Sequence, residues 1–202
     1  MAVKPQDSNK VFSIIKEWVG PQQLVLSIMA GVKMDKVKTA LNTNKVVRAM
    51  PNLPAQVGLG MTVFTSSEDV TRIELVMVQN LLNSTGKTLF VSEENLIDAA
   101  TAISGSGPAY VFFFMQTLMD SAKALGFSRS QAELLSYQTF KGAVESFNKN
   151  DFSCEEWIRK VSSKGGTTEA AFSMIDKQEV HTALLKAYGE AYTRAEEISK
   201  MD

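Results

Sequence analysis

The stretch Gln-Leu-Val-Leu-Ser-Ile-Met-Ala-Gly at residues 23–31 decides how the rest of the chain is interpreted. It is short and largely apolar, which is typical of a strand buried on both faces, and a glycine ends it. Before it, residues 2–4 predict a strand stub that Pro5 closes, because proline lacks the N–H that a sheet ladder needs. A helical pattern of apolar residues follows and stops at the Gly20-Pro21 break.

Downstream of this stretch, helical and β-like patterns alternate. A helical pattern begins near Asp35, and residues 67–84 predict an amphipathic helix. Short β-rich segments occupy residues 45–50, 61–64 and 87–91. This alternation predicts βαβ units on a mostly parallel sheet.

Beyond residue 92 the pattern predicts helices and no further strand. The predicted helices cover residues 95–102, 109–125, 130–148, 154–161, 167–175 and 180–199. The segment 109–119 is apolar almost all round, so it must be covered on every side. A second subunit is the expected cover.

Composition excludes several classes of protein. Lys and Arg number 21 against 22 Asp and Glu, so no basic field is present to attract nucleic acid or anionic lipid. Cys154 is the single cysteine, and no Cys/His cluster has metal-ligand spacing, which predicts no disulfide, no metal site and a cytoplasmic location. Every apolar run is far shorter than the roughly 20 residues that span a bilayer.

Two glycine-containing loops are candidate binding sites. In residues 162–168 the hydroxyls of Ser163, Thr167 and Thr168, with the first N–H groups of the next helix, predict an anion cradle. The alternative is a Gly-Gly turn between helices with a threonine cap, and spacing alone does not decide between them. The loop at 104–108 equally fits a plain helix entry.

The chain offers no obvious hydrolytic triad. Its only histidine, His181, lies in a helical stretch among apolar residues, where a histidine is more often a surface or packing residue than a catalyst. In addition, none of the 12 glycines stands in the G-x-G-x-x-G turn that seats a dinucleotide pyrophosphate after a first strand. We therefore expect either an N-terminally shortened chain or a protein that has lost cofactor binding.

Five segments carry a family resemblance. They are Ala-Val-Lys-Pro-Gln at 2–6, Ser-Ile-Met-Ala-Gly at 27–31, Val-Val-Arg-Ala-Met-Pro-Asn at 46–52, Ser-Gly-Ser-Gly-Pro-Ala-Tyr at 104–110 and Val-Ser-Ser-Lys-Gly-Gly-Thr-Thr at 161–168. In this order and spacing, and over essentially the whole chain, they resemble the pyrroline-5-carboxylate reductases.

The resemblance implies an α/β fold: an incomplete Rossmann-like parallel sheet followed by an all-helical dimerisation domain. Residues 1–92 would be the C-terminal part of the NAD(P)-binding domain, and residues 93–202 the helical dimerisation and substrate-binding domain. The implied partner is a second copy of the chain, as a homodimer or a higher homo-oligomer. The implied reaction is hydride transfer from NADPH or NADH to 1-pyrroline-5-carboxylate, which gives L-proline in the last step of proline biosynthesis.

The resemblance also implies roles for particular residues. Thr168 would be catalytic and hydrogen-bond the ring nitrogen of the imine. The substrate would contact Ser163, Gly165, Gly166, Thr167 and Thr101. The cofactor would contact Val3, Lys4, Pro5, Ala30, Gly31, Met50 and Asn52. Lys164 stands where the family pattern usually has proline, which would loosen the loop or add a cation near the substrate carboxylate.

Two alternatives remain open at this level. The chain could be a non-catalytic, truncated paralogue that dimerises through its helical domain. It could also belong to the wider β-hydroxyacid dehydrogenase-like group, in which Lys164 would be the candidate acid. These residues do not fix the choice between NADPH and NADH, because the residue that distinguishes them follows the missing loop.

Overall fold

A computed structural model describes residues 1–200 of the 202-residue chain. Four strands form one sheet in the order β1-β2-β3-β4. The strands are β1 Val25–Ser27, β2 Val46–Met50, β3 Gly60–Ser66 and β4 Gly86–Phe90. The pairs β1–β2 and β3–β4 are parallel, and the pair β2–β3 is antiparallel.

Helices make up most of the remaining chain. The α-helices are α1 Ser8–Ile15, α2 Met34–Leu41, α3 Arg72–Asn83, α4 Asn95–Ala100, α5 Gly107–Ala124, α6 Arg129–Asn148, α7 Cys154–Val161, α8 Thr167–Lys177 and α9 Val180–Lys200. Short 3-10 turns occupy Pro5–Asp7, Lys16–Trp18 and Leu53–Val57, and a π-helical turn occupies Thr101–Gly105. Among residues 1–200, no helix combines the length and apolar character needed to cross a bilayer.

The chain divides into two compact units. The sheet unit comprises Met1–Pro108 together with the chain from Ala187 onward, and the helical unit comprises Ala109–Lys186. The sheet unit therefore contains the whole sheet and the last part of α9. The functional boundary expected at residue 92 remains a prediction.

The expected fold class is confirmed, because two of the three strand pairs are parallel and helices follow the sheet. The antiparallel pair arises where residues 51–59 reverse the chain between β2 and β3, with Gly58 in the left-handed region at φ 73°. The strand stub expected at residues 2–4 was wrong. Of residues 1–4, Met1 alone bonds beside β1: its amino group donates to the carbonyl of Leu26, and its carbonyl oxygen accepts from the N–H of Ile28 at 3.0 Å. The chain then turns at Pro5.

Both faces of the sheet are covered. Val46 of β2 packs with Phe12 of α1 and with Val37 and Leu41 of α2 on one face. The next residue, Val47, packs on the opposite face in a cluster with buried residues of β3 and α3. Since successive residues of a strand point to opposite faces, β2 is continuously apolar apart from one arginine.

Three helices of residues 1–200 begin with a reciprocal cap, in which an N-cap hydroxyl accepts from the backbone N–H three residues on and a Glu or Gln there accepts from the N-cap N–H. The pairs are Thr71 and Glu74 in α3, Ser128 and Gln131 in α6, and Ser153 and Glu156 in α7. Helix α8 departs from this pattern, because its N-cap is Gly166 and has no side chain to accept the bond.

Candidate functional site

The first group of candidate residues lies at one edge of the sheet unit. Met1 pairs with β1 in the parallel sense, since its amino group donates to the carbonyl of Leu26 while its carbonyl accepts from Ile28. The segment that starts at Met1 and strands β1 and β2 therefore run in the same direction. The residues that follow them at this edge are Val3, Lys4 and Pro5, then Ala30 and Gly31, then Met50 and Asn52. All predicted cofactor residues thus share the carboxyl edge, where open α/β sheets bind ligands.

Gly31 occupies the tightest position at this edge. Its φ of 72° lies in the left-handed region, which favours glycine. A Cβ atom at this position would also collide with Cγ2 of Ile198 and come within 3.1 Å of the Ile198 carbonyl oxygen. The loop after β1 is therefore shaped by glycine and closed by the last turn of α9.

Asn52 ties three segments of the sheet unit together. Its Nδ2 donates to the carbonyl of Ser104 at 3.0 Å, and its Oδ1 accepts from the N–H of Met61 at 2.8 Å. Close by, Cε of Met50 lies 3.1 Å from where a Cβ at Gly105 would stand. The side chain of Asn52 is therefore engaged within the protein, and it fixes the 101–105 turn against the end of β2.

Thr101 begins the π-helical turn. Its hydroxyl donates to the carbonyl of Ile97 at 2.8 Å, and its carbonyl accepts from both the N–H and the hydroxyl of Ser106. Since its own proton is committed, the Thr101 hydroxyl can offer a ligand only a lone pair. Single π-turns within helices recur at functional sites.

A buried ion-pair cluster was missed by the sequence analysis. Arg48 is 1% exposed, and its Nη1 and Nη2 donate to Glu94 at 3.1 Å and to Asp98 at 2.6 Å. The hydroxyl of Ser199 adds a bond of 2.7 Å to the same Asp98 oxygen, and Glu94 accepts from the N–H of Met34. These groups border a cavity of about 110 Å³. The sequence feature that could have predicted this cluster is the single arginine inside the apolar strand at 46–50, because a buried charge requires a partner.

The second group of candidate residues lies in the helical unit, between α7 and α8. The N–H of Gly166 donates to the carbonyl of Ser163 at 2.9 Å, which closes a four-residue turn. The third residue of that turn, Gly165, has φ 72°, as a type II turn requires. A Cβ at Gly166 would approach the Ser163 carbonyl oxygen to 2.9 Å. Both glycines are therefore required by the backbone shape.

Helix α8 presents its N-terminus directly after this turn. Thr167, Thr168 and Glu169 supply its first three N–H groups, for which a helix has no internal acceptor. Thr168 is half-buried and its hydroxyl forms no hydrogen bond within residues 1–200. The N–H groups of Gly165 and Gly166 are already bonded, to Glu169 and Ser163 respectively. Ser163 thus lies in the turn, and Thr167 and Thr168 lie in the first turn of the helix that follows it.

The remaining reactive side chains lie outside these groups. His181 and Cys154 are exposed, in α9 and at the start of α7. Across residues 1–200, no three His, Cys, Asp or Glu side chains are grouped so that they could hold a metal ion. Of the predicted substrate residues, Thr101 belongs to the sheet unit, whereas those at 163–167 belong to the helical unit.

The helical unit also exposes a broad apolar surface. Phe112, Phe113 and Val111 of α5 are 57%, 62% and 46% exposed, although the first half of this helix is almost entirely apolar. Leu134 and Val144 of α6 are exposed to 65% and 63%. An apolar surface of this extent indicates a protein–protein interface.

Comparison with known proteins agrees with this description. Residues 94–198 match the family profile described as pyrroline-5-carboxylate reductase dimerisation. The pyrroline-5-carboxylate reductase of Synechocystis sp. is 34% identical over 200 residues, which cover 99% of this chain and 74% of that protein. That of Aquifex aeolicus is 38% identical over 179 residues, or 88% of this chain and 66% of the relative.

Solved structures give the same result. The chain matches the pyrroline-5-carboxylate reductase of Coxiella burnetii with a TM-score of 0.90 and 33% identity, over 99% of this chain and 75% of the other. It matches the Plasmodium falciparum pyrroline carboxylate reductase, solved with NADP bound, with a TM-score of 0.91 and 31% identity, over 98% and 80%. The fold and these relatives define the class, a nicotinamide-dependent reductase with a helical dimerisation region. The chain belongs to the pyrroline-5-carboxylate reductase family.

Proposed function

We propose that this chain reduces 1-pyrroline-5-carboxylate to L-proline with a hydride from NADPH or NADH, the last step of proline biosynthesis. The observation that carries the proposal is the turn at 163–166, which leads into the N-terminus of α8 beside the hydroxyl of Thr168, and that hydroxyl has no hydrogen-bond partner within residues 1–200. A helix N-terminus attracts a carboxylate. The adjacent hydroxyl supplies a hydrogen-bonding group for the ring.

In the proposed site, the substrate carboxylate lies against the N–H groups of Thr167 and Thr168 and the hydroxyls of Ser163 and Thr167. Gly165 and Gly166 contribute through the backbone shape of the turn, since their own N–H groups are engaged. The Thr168 hydroxyl hydrogen-bonds the ring nitrogen and so orients the C=N bond. Orientation of this kind is the main contribution that a protein makes to a hydride transfer.

The residues of the carboxyl edge fit the nicotinamide half of the cofactor. When bound, NADPH or NADH supplies the hydride to the C=N carbon. Gly31 gives the loop after β1 its left-handed turn and lets it pack against Ile198, and Met50 and Asn52 form the neighbouring wall. Val3, Lys4, Pro5 and Ala30 complete the set that we assign to the nicotinamide and its ribose. Thr101 is assigned to the substrate side through its lone pair.

We further assign residues 1–92 to nucleotide binding and residues 93–202 to dimerisation and substrate binding. The match of residues 94–198 to a dimerisation family supports the second part of this assignment. A cytoplasmic location is part of the proposal, because Cys154 is the only cysteine and a reducing compartment suits such a composition.

One specific observation favours a second candidate, a non-catalytic subunit that pairs with a catalytic chain. None of the 12 glycines of this chain stands in a G-x-G-x-x-G turn after a strand. Residues 1–202 therefore do not include the usual seat for a nucleotide pyrophosphate.

Cofactor binding and turnover separate the two candidates. The purified chain is titrated with NADPH and with NADH by fluorescence, and NADPH oxidation is then followed with 1-pyrroline-5-carboxylate present. Saturable binding with proline formation supports the reductase. A dimer that binds neither nucleotide and forms no proline, even at high protein concentration, overturns it in favour of the pairing subunit.

A further inference from the structure

Helix α8 differs from the other capped helices in one contact. In α7, the glutamate at the third helical position, Glu156, accepts from the N–H of its N-cap residue Ser153 at 2.7 Å. In α8, the equivalent Glu169 reaches one residue further back. Its Oε2 accepts from the N–H of Gly165 at 2.6 Å, inside the turn and outside the helix.

This contact fixes the orientation of one peptide group. In a type II turn the central peptide is flipped relative to a type I turn, and here it joins Lys164 to Gly165. The Gly165 N–H belongs to that peptide, so the Glu169 carboxylate stabilises the flipped orientation through a short, charge-assisted hydrogen bond. The same turn sets where the hydroxyl of Ser163 stands relative to Thr167.

The turn has little else to hold it in this form. Its second position, where proline is favoured because its φ is preset, is occupied by Lys164. Gly165 and Gly166 are glycines, and glycine loses more conformational freedom on folding than any other residue type. Ser163, Lys164 and Gly165 are all exposed, so packing does not restrain them.

We propose that Glu169 is a positioning residue of the reductase: its carboxylate holds the 163–166 turn in the form that receives the substrate carboxylate. The inference rests on the proposed function, and it adds a residue that touches neither substrate nor cofactor. It also accounts for a helix start that has no hydroxyl at its N-cap.

Kinetics of matched variants test the proposal in the full chain. Glu169→Ala is expected to raise KM for 1-pyrroline-5-carboxylate about tenfold, the size of effect given by loss of one charge-assisted hydrogen bond. Glu169→Gln keeps an acceptor oxygen and should stay within about threefold of the unaltered chain. Glu156→Ala removes the matching glutamate of α7, so it should lower the melting temperature to a similar extent and leave KM unchanged.

A proline at the second turn position should substitute for the lost contact. Adding Lys164→Pro to Glu169→Ala is expected to bring KM back to within about threefold, because proline restricts the turn before the substrate binds. An unchanged KM in Glu169→Ala, or an equal rise in Glu169→Gln, would overturn the positioning role.

An NMR measurement separates failure of this inference from failure of the proposed function. The amide signal of Gly165 in the ¹⁵N-labelled chain should move in Glu169→Ala, and amide hydrogen exchange there should accelerate in Glu169→Ala but not in Glu169→Gln. A Gly165 signal insensitive to both substitutions refutes the contact. A sensitive signal in a chain that forms no proline refutes the reductase while keeping the contact.

Discussion

Arg48 donates from Nη2 to Oδ1 of Asp98 over 2.6 Å, although the two residues are separated by 50 positions and are 1% and 5% exposed. The bond joins the middle of β2 to α4. Because Ser199 donates to the same oxygen, it also holds the end of α9. A buried pair of this kind is costly to break from one side, since the remaining charge keeps its desolvation penalty.

The Asp98→Ala variant should therefore lower the free energy of unfolding by about 3 kcal/mol, as expected for a buried charge left with an incomplete set of partners. Urea unfolding followed by circular dichroism measures this. The double variant Arg48→Met with Asp98→Leu should recover most of the loss. Asp35→Ala removes an exposed pair with Lys38 and should cost less than about 1 kcal/mol. Equal losses in Asp98→Ala and Asp35→Ala would contradict the importance of burial.

Glu74 gives the fold a specific acid sensitivity. Hydrogen bonds from Lys45 and from Thr71 lower the pKa of the Glu74 carboxyl to about 2 from its usual 4.5. Because the folded-state pKa is the lower one, the ionised group stabilises the fold above pH 4.5, and this contribution is lost as the pH falls towards 2. Glu74→Gln should flatten the fall in unfolding free energy over this range. Glu133→Gln, an exposed change on α6, should leave the pH profile as it was.

Gly31 and Gly58 form a matched pair of tests for the loop at the carboxyl edge. Both have φ near 72°, but a Cβ at Gly58 would meet nothing within 4 Å while one at Gly31 would meet Ile198. Gly58→Ala should cost about 1–2 kcal/mol of stability, the penalty for a left-handed alanine. Gly31→Ala should cost more than this and should also raise the Kd for NADPH. Equal effects on stability would show that the last turn of α9 does not press on the loop.

Thr168→Ala should reduce kcat/KM for 1-pyrroline-5-carboxylate by about tenfold or more, since one transition-state hydrogen bond contributes on the order of 1.4 kcal/mol. Thr168→Ser keeps the hydroxyl and should retain most of the activity. Stability should change little in either variant, because the hydroxyl has no partner within residues 1–200. Steady-state assays and thermal melts decide the matter, and unchanged kinetics in Thr168→Ala would rule out the assigned role.

The exposed face of α5 should be the dimer contact. Phe113→Asp places a charge on a side chain that is 62% exposed in the single chain, and we expect it to yield monomers in sedimentation experiments. Trp18→Asp makes the same kind of change at an aromatic residue that is 79% exposed but lies outside the matched dimerisation region, residues 94–198. It should leave the dimer intact. Dissociation by the second variant alone would place the interface elsewhere.

Helices were predicted more accurately than strands. The predicted helix at 154–161 has the observed bounds, because its apolar spacing and the serine before it both mark its start. The helix expected at 67–84 instead begins at Arg72, where the cap by Thr71 outweighs the apolar pattern upstream. The strand expected over 23–30 narrows to Val25–Ser27, since an apolar run alone does not show where sheet pairing ends.

Contacts between distant residues account for what the sequence did not reveal. The direction of β3 depends on the turn between β2 and β3. The apolar pattern of the strands therefore did not predict that this pair is antiparallel. Motif spacing alone predicted the turn at 163–166 before α8, because its glycines and hydroxyls are adjacent in sequence. The engagement of the Asn52 amide by Ser104 and Met61 required the folded chain, as did the reach of Glu169 back to Gly165.

The return of α9 to the sheet unit has a consequence for how the protein is made. Gly31 and Asp98 emerge early from the ribosome, yet their contacts Ile198 and Ser199 are synthesised after the whole helical unit. N-terminal domains usually finish folding during synthesis, but the sheet unit of this chain cannot do so, because it needs the end of α9. The carboxyl edge of the sheet acquires its final shape only after residues 109–186 have been translated, so premature termination would leave a nascent sheet without the last turn of α9.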